Sequence, residues 1–419
     1  MENYSVVIFI LFVMIALSAL ADRIRLPYPV LLIVAGIAVG FMPSMPVIEL
    51  NPEVVFLIFL PPLLYDAAFN ISFRDFKTNI NTIGTLAIGL VFLTTVAIAV
   101  ISHFLIDGMS WPLSFVLGAI LSATDAVAAI GITKGLGLSH KTTTILEGES
   151  LVNDASALVA YRFAVAAVTG TAFIVWKASL IFLLLLGGGY LVGMVMAKIL
   201  AFILKRVHGN TMVTISFMLI MPFVTYLLAE HLHVSGVIAV VVLGLGISRF
   251  SRSVFPEHLK HQSKTIWDTI LFLLNGLIFV LIGLEFPYVL KSIDKDLVLP
   301  YIGYAFLITV AALVVRMARV FLQRANLQRA FQQQRKRKVP EESLLDFQNS
   351  LIISWSGMRG IVSLAIAIGL PATLEDGTPF PQRNTIIFIS VAVVLFTLIG
   401  QGLTLPWIVK KMKTGTANK

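Results

Sequence analysis

The sequence predicts an all-α polytopic membrane protein, and three observations carry that expectation. Apolar side chains make up 58% of the 419 residues and charged ones only 13%, whereas soluble domains run near about 45–50% and about 25%. The apolar stretches repeatedly reach or approach the ~20 residues that cross a ~30 Å hydrocarbon layer as a helix. Segments of about ten alternating residues, the signature of a membrane β-barrel, do not occur.

Taken in order, about thirteen spans are expected, at roughly 4–20, 29–47, 53–69, 82–106, 112–134, 143–168, 178–204, 211–229, 234–249, 266–290, 297–320, 347–371 and 384–409. The first follows Met1-Glu2-Asn3 without a basic leader or a small-residue cleavage motif. It therefore reads as a span, not as a removed signal. Span three carries Leu60-Pro61-Pro62 and Asp66. Span five is interrupted at Thr124-Asp125, span six carries Glu149-Ser150 and Asn153-Asp154, and span twelve is interrupted at Gly357-Met358-Arg359-Gly360. Polar interruptions at matching places in two halves point to a transporter site. On that basis spans 1–6 and 8–13 are expected to form two inverted-topology repeats, joined by span seven.

The net charge of +9 follows from topology. With the N-terminus outside, 25 of the 31 Lys and Arg residues, Arg316 among them, fall in inside loops. Only Lys177, Lys291, Lys295 and Arg383 fall outside, and Arg162 and Arg359 lie within spans. Cytoplasmic loops collect Lys and Arg, so the C-terminus is expected in the cytoplasm and the membrane is expected to be the plasma (inner) membrane. The excess charge then needs no nucleic-acid partner. The run Gln332-Gln333-Gln334-Arg335-Lys336-Arg337-Lys338 reads as a solvated loop meeting anionic lipid. Cys is absent, which removes disulfides and thiolate metal sites. The His pairs at 231/233 and 258/261 lack the spacing of a metal-binding helix pair, and no resident cofactor is expected.

The charges inside the spans carry the chemistry. A carboxylate or guanidinium at mid-membrane costs about 2.5–3.5 kcal/mol even on the lenient scale, so it marks an ion or proton path. Ser150 and Asp154 are four residues apart and share one helical face, with Glu149 and Asn153 on the adjacent one. Hard alkali cations take oxygen ligands. A break at Thr124-Asp125 adds a hydroxyl, a freed carbonyl and a second carboxylate, and such breaks are tolerated only where they line a cavity or are buried in protein. Burial favours the neutral form of a carboxyl and a bound cation favours its charged form. One carboxylate can thus hold either a proton or a metal ion, each expelling the other. Arg359 stays charged and needs a permanent partner, for which Glu149, off the Ser150/Asp154 face, is the expected choice.

Together, Thr124-Asp125-Ala126-Val127, Glu147-Gly148-Glu149-Ser150-Leu151-Val152-Asn153-Asp154 and Gly357-Met358-Arg359-Gly360 resemble the sodium–proton exchangers of the cation–proton antiporter superfamily, in the branch with Asn-Asp in the sixth span. The resemblance covers nearly the whole chain. It implies exchange of a monovalent cation (Na+, with Li+ or K+ as alternatives) for H+ by alternating access, and no enzymatic activity. It implies Asp154 as the main ion and proton carboxylate, with Ser150 and Thr124 as further Na+ ligands and Asn153 shaping the site. Asp125 would stabilise crossed discontinuous helices in spans 5 and 12, Glu149 and Arg359 would form the family ion pair, and Asp66 loosely matches an acid that reaches the ion in some members. It also implies a homodimer in which 82–170 and 297–413 are core transport helices. Residues 1–81 and 171–296 would be dimerisation-side and connector helices, and 414–419 a short cytoplasmic tail. One carboxylate trading one proton for one cation moves no net charge, so exchange is expected to be electroneutral. A K+-selective exchanger is the nearest alternative. A channel would need a symmetric filter ring, and an intramembrane hydrolase would need a Gly-x-Ser-x-Gly elbow or a histidine beside Ser354 or Ser356; the sequence offers neither.

Overall fold

A computed structural model gives the fold and describes residues 12–17, 28–42, 52–133, 136–169, 175–207, 209–333, 341–374 and 377–414. Most of the first expected span, the basic run at 334–338 and the tail lie outside the described residues. Among those described, the chain is helical with one isolated bridge, Thr373 to Pro379. The helices are α1 Tyr28–Gly40, α2 Pro52–Asn70, α3 Phe73–Thr78, α4 Ile80–Leu105, α5 Trp111–Ser122, α6 Ala126–Ile132, α7 His140–Val168 and α8 Val175–Val207. They continue with α9 Thr211–His231, α10 Gly236–Val254, α11 Glu257–Lys291, α12 Lys295–Gln332, α13 Phe347–Trp355, α14 Ile361–Ile368 and α15 Arg383–Thr414. Among the described residues, eight helices are each long and apolar enough to cross a membrane. Expected spans two and three fall on the shorter apolar helices α1 and α2, and spans five and twelve on the interrupted pairs α5/α6 and α13/α14.

Backbone proximity divides the chain into two compact units, one formed by residues 1–49, 76–170 and 275–419, the other by 50–75 and 171–274. The second unit packs α2, α8, α9 and α10 with the start of α11. Its helices approach closely because glycines face their neighbours: a Cβ on Gly244 of α10 would stand 2.7 Å from the Ala68 Cβ and 2.8 Å from the Tyr65 carbonyl oxygen of α2. Apolar burial between helices drives little association in lipid, so small residues that admit close packing are what such interfaces use.

In the first unit α5 packs along α4 and α7, and α12 along α4 and α15. Thr85–Leu90 of α4 is a π-helical stretch, a widened turn of the kind often found at functional sites. Leu86 and Leu90 from it join Ala126, Ile145, Leu146, Val320 and Ile353 in a buried apolar cluster. That cluster is the floor on which α6, α7, α12 and α13 meet.

Candidate functional site

Two helices of the first unit stop in the middle and resume. After Ser122 the backbone turns extended, and Asp125 restarts the helix as an N-cap, its Oδ1 accepting from the Ala128 N–H at 3.1 Å. Aspartate suits this place because its short side chain satisfies an N–H left over at a helix start. The second break runs from Ser356 to Gly360, between α13 and α14. The two breaks touch: the Asp125 N–H donates to the Met358 carbonyl at 2.8 Å. Gly360 has no room for a side chain, because a Cβ there would collide with the Asp125 carboxylate, and a Cβ on Gly357 would collide with Arg316. The glycines flanking Met358-Arg359 therefore admit one acid and one base.

Asp125 thus lies at the start of α6 and against Gly360, the start of α14. Helix N-termini carry partial positive charge and C-termini partial negative charge. The C-terminal ends receive arginines. Arg359 donates from Nε to the Leu121 carbonyl of α5 at 2.9 Å and from Nη1 to the Gly357 carbonyl, while its own N–H donates to Thr397 Oγ1 at 3.1 Å. Arg316 donates from Nε to the Ile353 carbonyl of α13 at 3.0 Å. Each guanidinium so satisfies carbonyls that a broken helix leaves without intrahelical partners.

The structure corrects the expected ion pair. Glu149 is held by Arg316, with Nη1 on Oε1 and Nη2 on Oε2 at 2.8 Å, and both side chains are fully buried. Arg359, 2% exposed, places Nε and Nη1 on main-chain carbonyls, so the fork geometry that matches a carboxylate belongs to Arg316. Arg316 was counted above among loop residues. Its buried place in α12 moves it out of that tally.

Helix α7 fastens the first break. Ser150 Oγ donates to the Thr124 carbonyl at 3.1 Å and accepts from the Ala126 N–H at 3.4 Å. Asn153 Nδ2 donates to Thr124 Oγ1 at 2.6 Å, and that hydroxyl donates to Glu149 Oε1 at 3.2 Å. Ser150 and Thr124, expected as cation ligands, are in this conformation also the bolts of the junction. Asp154 follows Ser150 by one turn, is 8% exposed, and has Asp125 and Glu149 within electrostatic reach. Among the described residues it receives no hydrogen bond and forms no salt bridge. The fold thus brings together Thr124, Asp125, Glu149, Ser150, Asn153, Asp154 and Arg359. Asp66 belongs to the second unit, where it lines a separate cavity. Gly360→Ala is expected to lower stability by about 1–3 kcal/mol, the usual cost of overpacking, read as a fall in melting temperature; an unchanged melt would mean that the junction relaxes around a methyl group.

With this geometry in view, the comparison with known proteins is direct. The family model described as sodium/hydrogen exchanger, transmembrane, matches residues 8–411. The chain belongs to that family. It is 36% identical over 416 residues to the sodium, potassium, lithium and rubidium/H+ antiporter of Bacillus pumilus, across 96% of this chain and 61% of that protein. It therefore spans about three fifths of that relative's length. It is 31% identical over 421 residues to the Na+/H+ antiporter NhaH of Halobacillus aidingensis, across 97% of each chain. The fold matches the structure of the sodium proton antiporter MjNhaP1 from Methanocaldococcus jannaschii at pH 8 with a TM-score of 0.73 and 22% identity, over 98% of this chain and 99% of that one.

For this family member, sequence reasoning missed Arg316 and Thr397. A signal for the first existed: residue 316 lies inside the limits 297–320 expected for span eleven. An intramembrane base there should have been weighed as a partner for Glu149. Thr397 gave no signal, because a lone threonine in an apolar helix commonly bonds its own backbone, as this one also does to the Val394 carbonyl at 2.9 Å.

Proposed function

We propose that the chain is a secondary antiporter that exchanges a monovalent cation for H+, with the Asp154 carboxylate as the shared site. The observation that carries this is the division of labour among the buried charges. Glu149 is committed to Arg316, Asp125 to the starts of two helices and Arg359 to helix-end carbonyls. Asp154 is the acid left to change its occupant. The names of the relatives from Bacillus pumilus and Halobacillus aidingensis agree with this reading.

In this reading a cation bound to Asp154 draws further oxygens from Ser150, Thr124 and Asn153, whose unpartnered Oδ1 is buried beside them. A proton arriving on the carboxyl removes its charge and releases the cation. The broken helices cross as the pivots of two inverted repeats. The site opens to one side at a time, in a core of residues 82–170 and 297–413 that moves against the remaining helices of a homodimer. In support, every member of the charged cluster comes from those two segments. The membrane is the plasma (inner) membrane, with the C-terminus in the cytoplasm, in keeping with the distribution of Lys and Arg. Asp66 is proposed as an accessory acid on the ion path.

The test is purified protein in proteoliposomes, with internal pH followed after pulses of sodium, lithium or potassium. Cation-dependent proton movement is expected, and its absence with all three ions would sink the reading. Exchange by one carboxylate is electroneutral, so clamping the membrane voltage is expected to leave the rate unchanged; clear voltage dependence would rule out one-for-one exchange.

A further inference from the structure

The second unit holds a cavity of about 230 Å³ that Asp66 lines, and the proposed exchange gives no role to the other side chains of its wall. It opens where α2 ends, α10 ends and α11 begins, at the basic end of α10. Its walls carry three cationic side chains, Arg252, Lys260 and Lys264, against one acid, Asp66. Part of this charge is already occupied: Arg252 Nη2 donates to the Ile71 carbonyl at 2.9 Å, and Lys260 pairs with Glu257 at 2.9 Å across an exposed turn. Lys264 is exposed on the same helix, one turn beyond Lys260.

The neutral wall is rich in donors as well. Trp267 is 2% exposed, and its Nε1–H has no hydrogen-bond partner. Indole nitrogen can only donate, and a buried donor without an acceptor is costly. Ser263 is buried too, and its hydroxyl reaches only the Met218 sulfur at 3.9 Å, a weak acceptor. The Trp267 ring leans on Tyr65 at 5.1 Å between centroids, which fixes where the indole stands. The first turns of α11, Glu257-His258-Leu259-Lys260-His261-Gln262-Ser263-Lys264, are polar, and the apolar part of the helix follows. The cavity therefore lies at the edge of the apolar layer, at a level where indole rings gather in membrane proteins. An excess of cations and unused N–H and O–H donors, with an aromatic wall at head-group depth, calls for an acceptor-rich anion.

We propose that this cavity binds a phosphate group, the head group of an anionic phospholipid or a soluble phosphate, through Arg252, Lys264 and the Trp267 N–H. Phosphate offers several acceptor oxygens and a charge that matches the cations, and basic pockets between membrane helices suit anionic lipid head groups.

The experiment uses the full chain purified in a neutral detergent at fixed ionic strength. Three probes are titrated separately: a short-chain phosphatidylglycerol, the matching phosphatidylcholine and inorganic phosphate. Binding is read from the melting temperature and from tryptophan fluorescence. A saturable response to phosphatidylglycerol alone assigns the site to lipid, and a comparable response to inorganic phosphate assigns it to the soluble anion; either supports the proposal. The variant R252Q/K264Q is expected to weaken the apparent affinity about fivefold for each charge removed. W267F keeps an aromatic side chain without the N–H and is expected to weaken it about two- to tenfold by loss of one donor. If R252Q/K264Q does not fold, W267F and K264Q carry the test, because neither removes a hydrogen bond or ion pair seen among the described residues. No saturable response to either anion, an equal response to phosphatidylcholine, or unchanged affinity in W267F and K264Q would overturn it.

Discussion

Replacing Glu149 by alanine is expected to cost about 3–5 kcal/mol of stability, because it strands a guanidinium inside the protein. Arg316 is 1% exposed and spends two of its nitrogens on the Glu149 carboxylate. With the acid gone, only the Ile353 carbonyl remains to it. Thermal melting in detergent measures the loss. Truncating Arg316 instead should cost a similar amount by stranding the acid. A double-mutant cycle then separates the two candidate partners. Glu149 and Arg316 are expected to show a coupling energy in the range of about 0.5–3 kcal/mol typical of residues in contact, and Glu149 with Arg359 a smaller one. The opposite order would return the pairing to Arg359 and refute the geometry described above.

Asp154→Asn is expected to abolish cation-driven proton movement while leaving the melting temperature close to that of the parent. Asparagine nearly keeps the volume but cannot titrate, so neither the proton nor the metal ion can be exchanged for the other at that place. Stability should survive because no salt bridge or hydrogen bond from the described residues ends on this carboxylate. The pairing of the two outcomes is the informative part. Loss of both transport and fold would make Asp154 a structural acid, and retained exchange would remove it from the mechanism.

Much of this was legible in the chain before any coordinates. The breaks at Thr124-Asp125 and Gly357–Gly360 could be expected because aspartate and glycine inside long apolar runs cannot continue a helix cheaply in lipid. Ser150, Asn153 and Asp154 could be placed on neighbouring faces because the α-helical repeat is local and periodic. The partner of Glu149 could not be found this way. Two arginines, 316 and 359, satisfy the same requirement for a buried cation, and sequence distance favours neither. Counting charge by loops also hid Arg316, since it placed every Lys and Arg near the end of span eleven with the basic residues that follow, although 316 lies inside the span and α12 continues as far as Gln332.

The sequence by itself determined the class of molecule, the places where helices must break and the acids that are too costly to bury without purpose. These follow from transfer energies and helix periodicity, which act on each segment alone. Only the tertiary structure decided which guanidinium holds Glu149, that Arg359 instead meets the carbonyl end of α5, and that Gly360 is bare to receive Asp125. Those choices depend on which helix ends face one another. Orphan carbonyls, buried carboxylates and guanidinium forks compete for the same few hydrogen bonds, and the competition is settled only once the chain has folded.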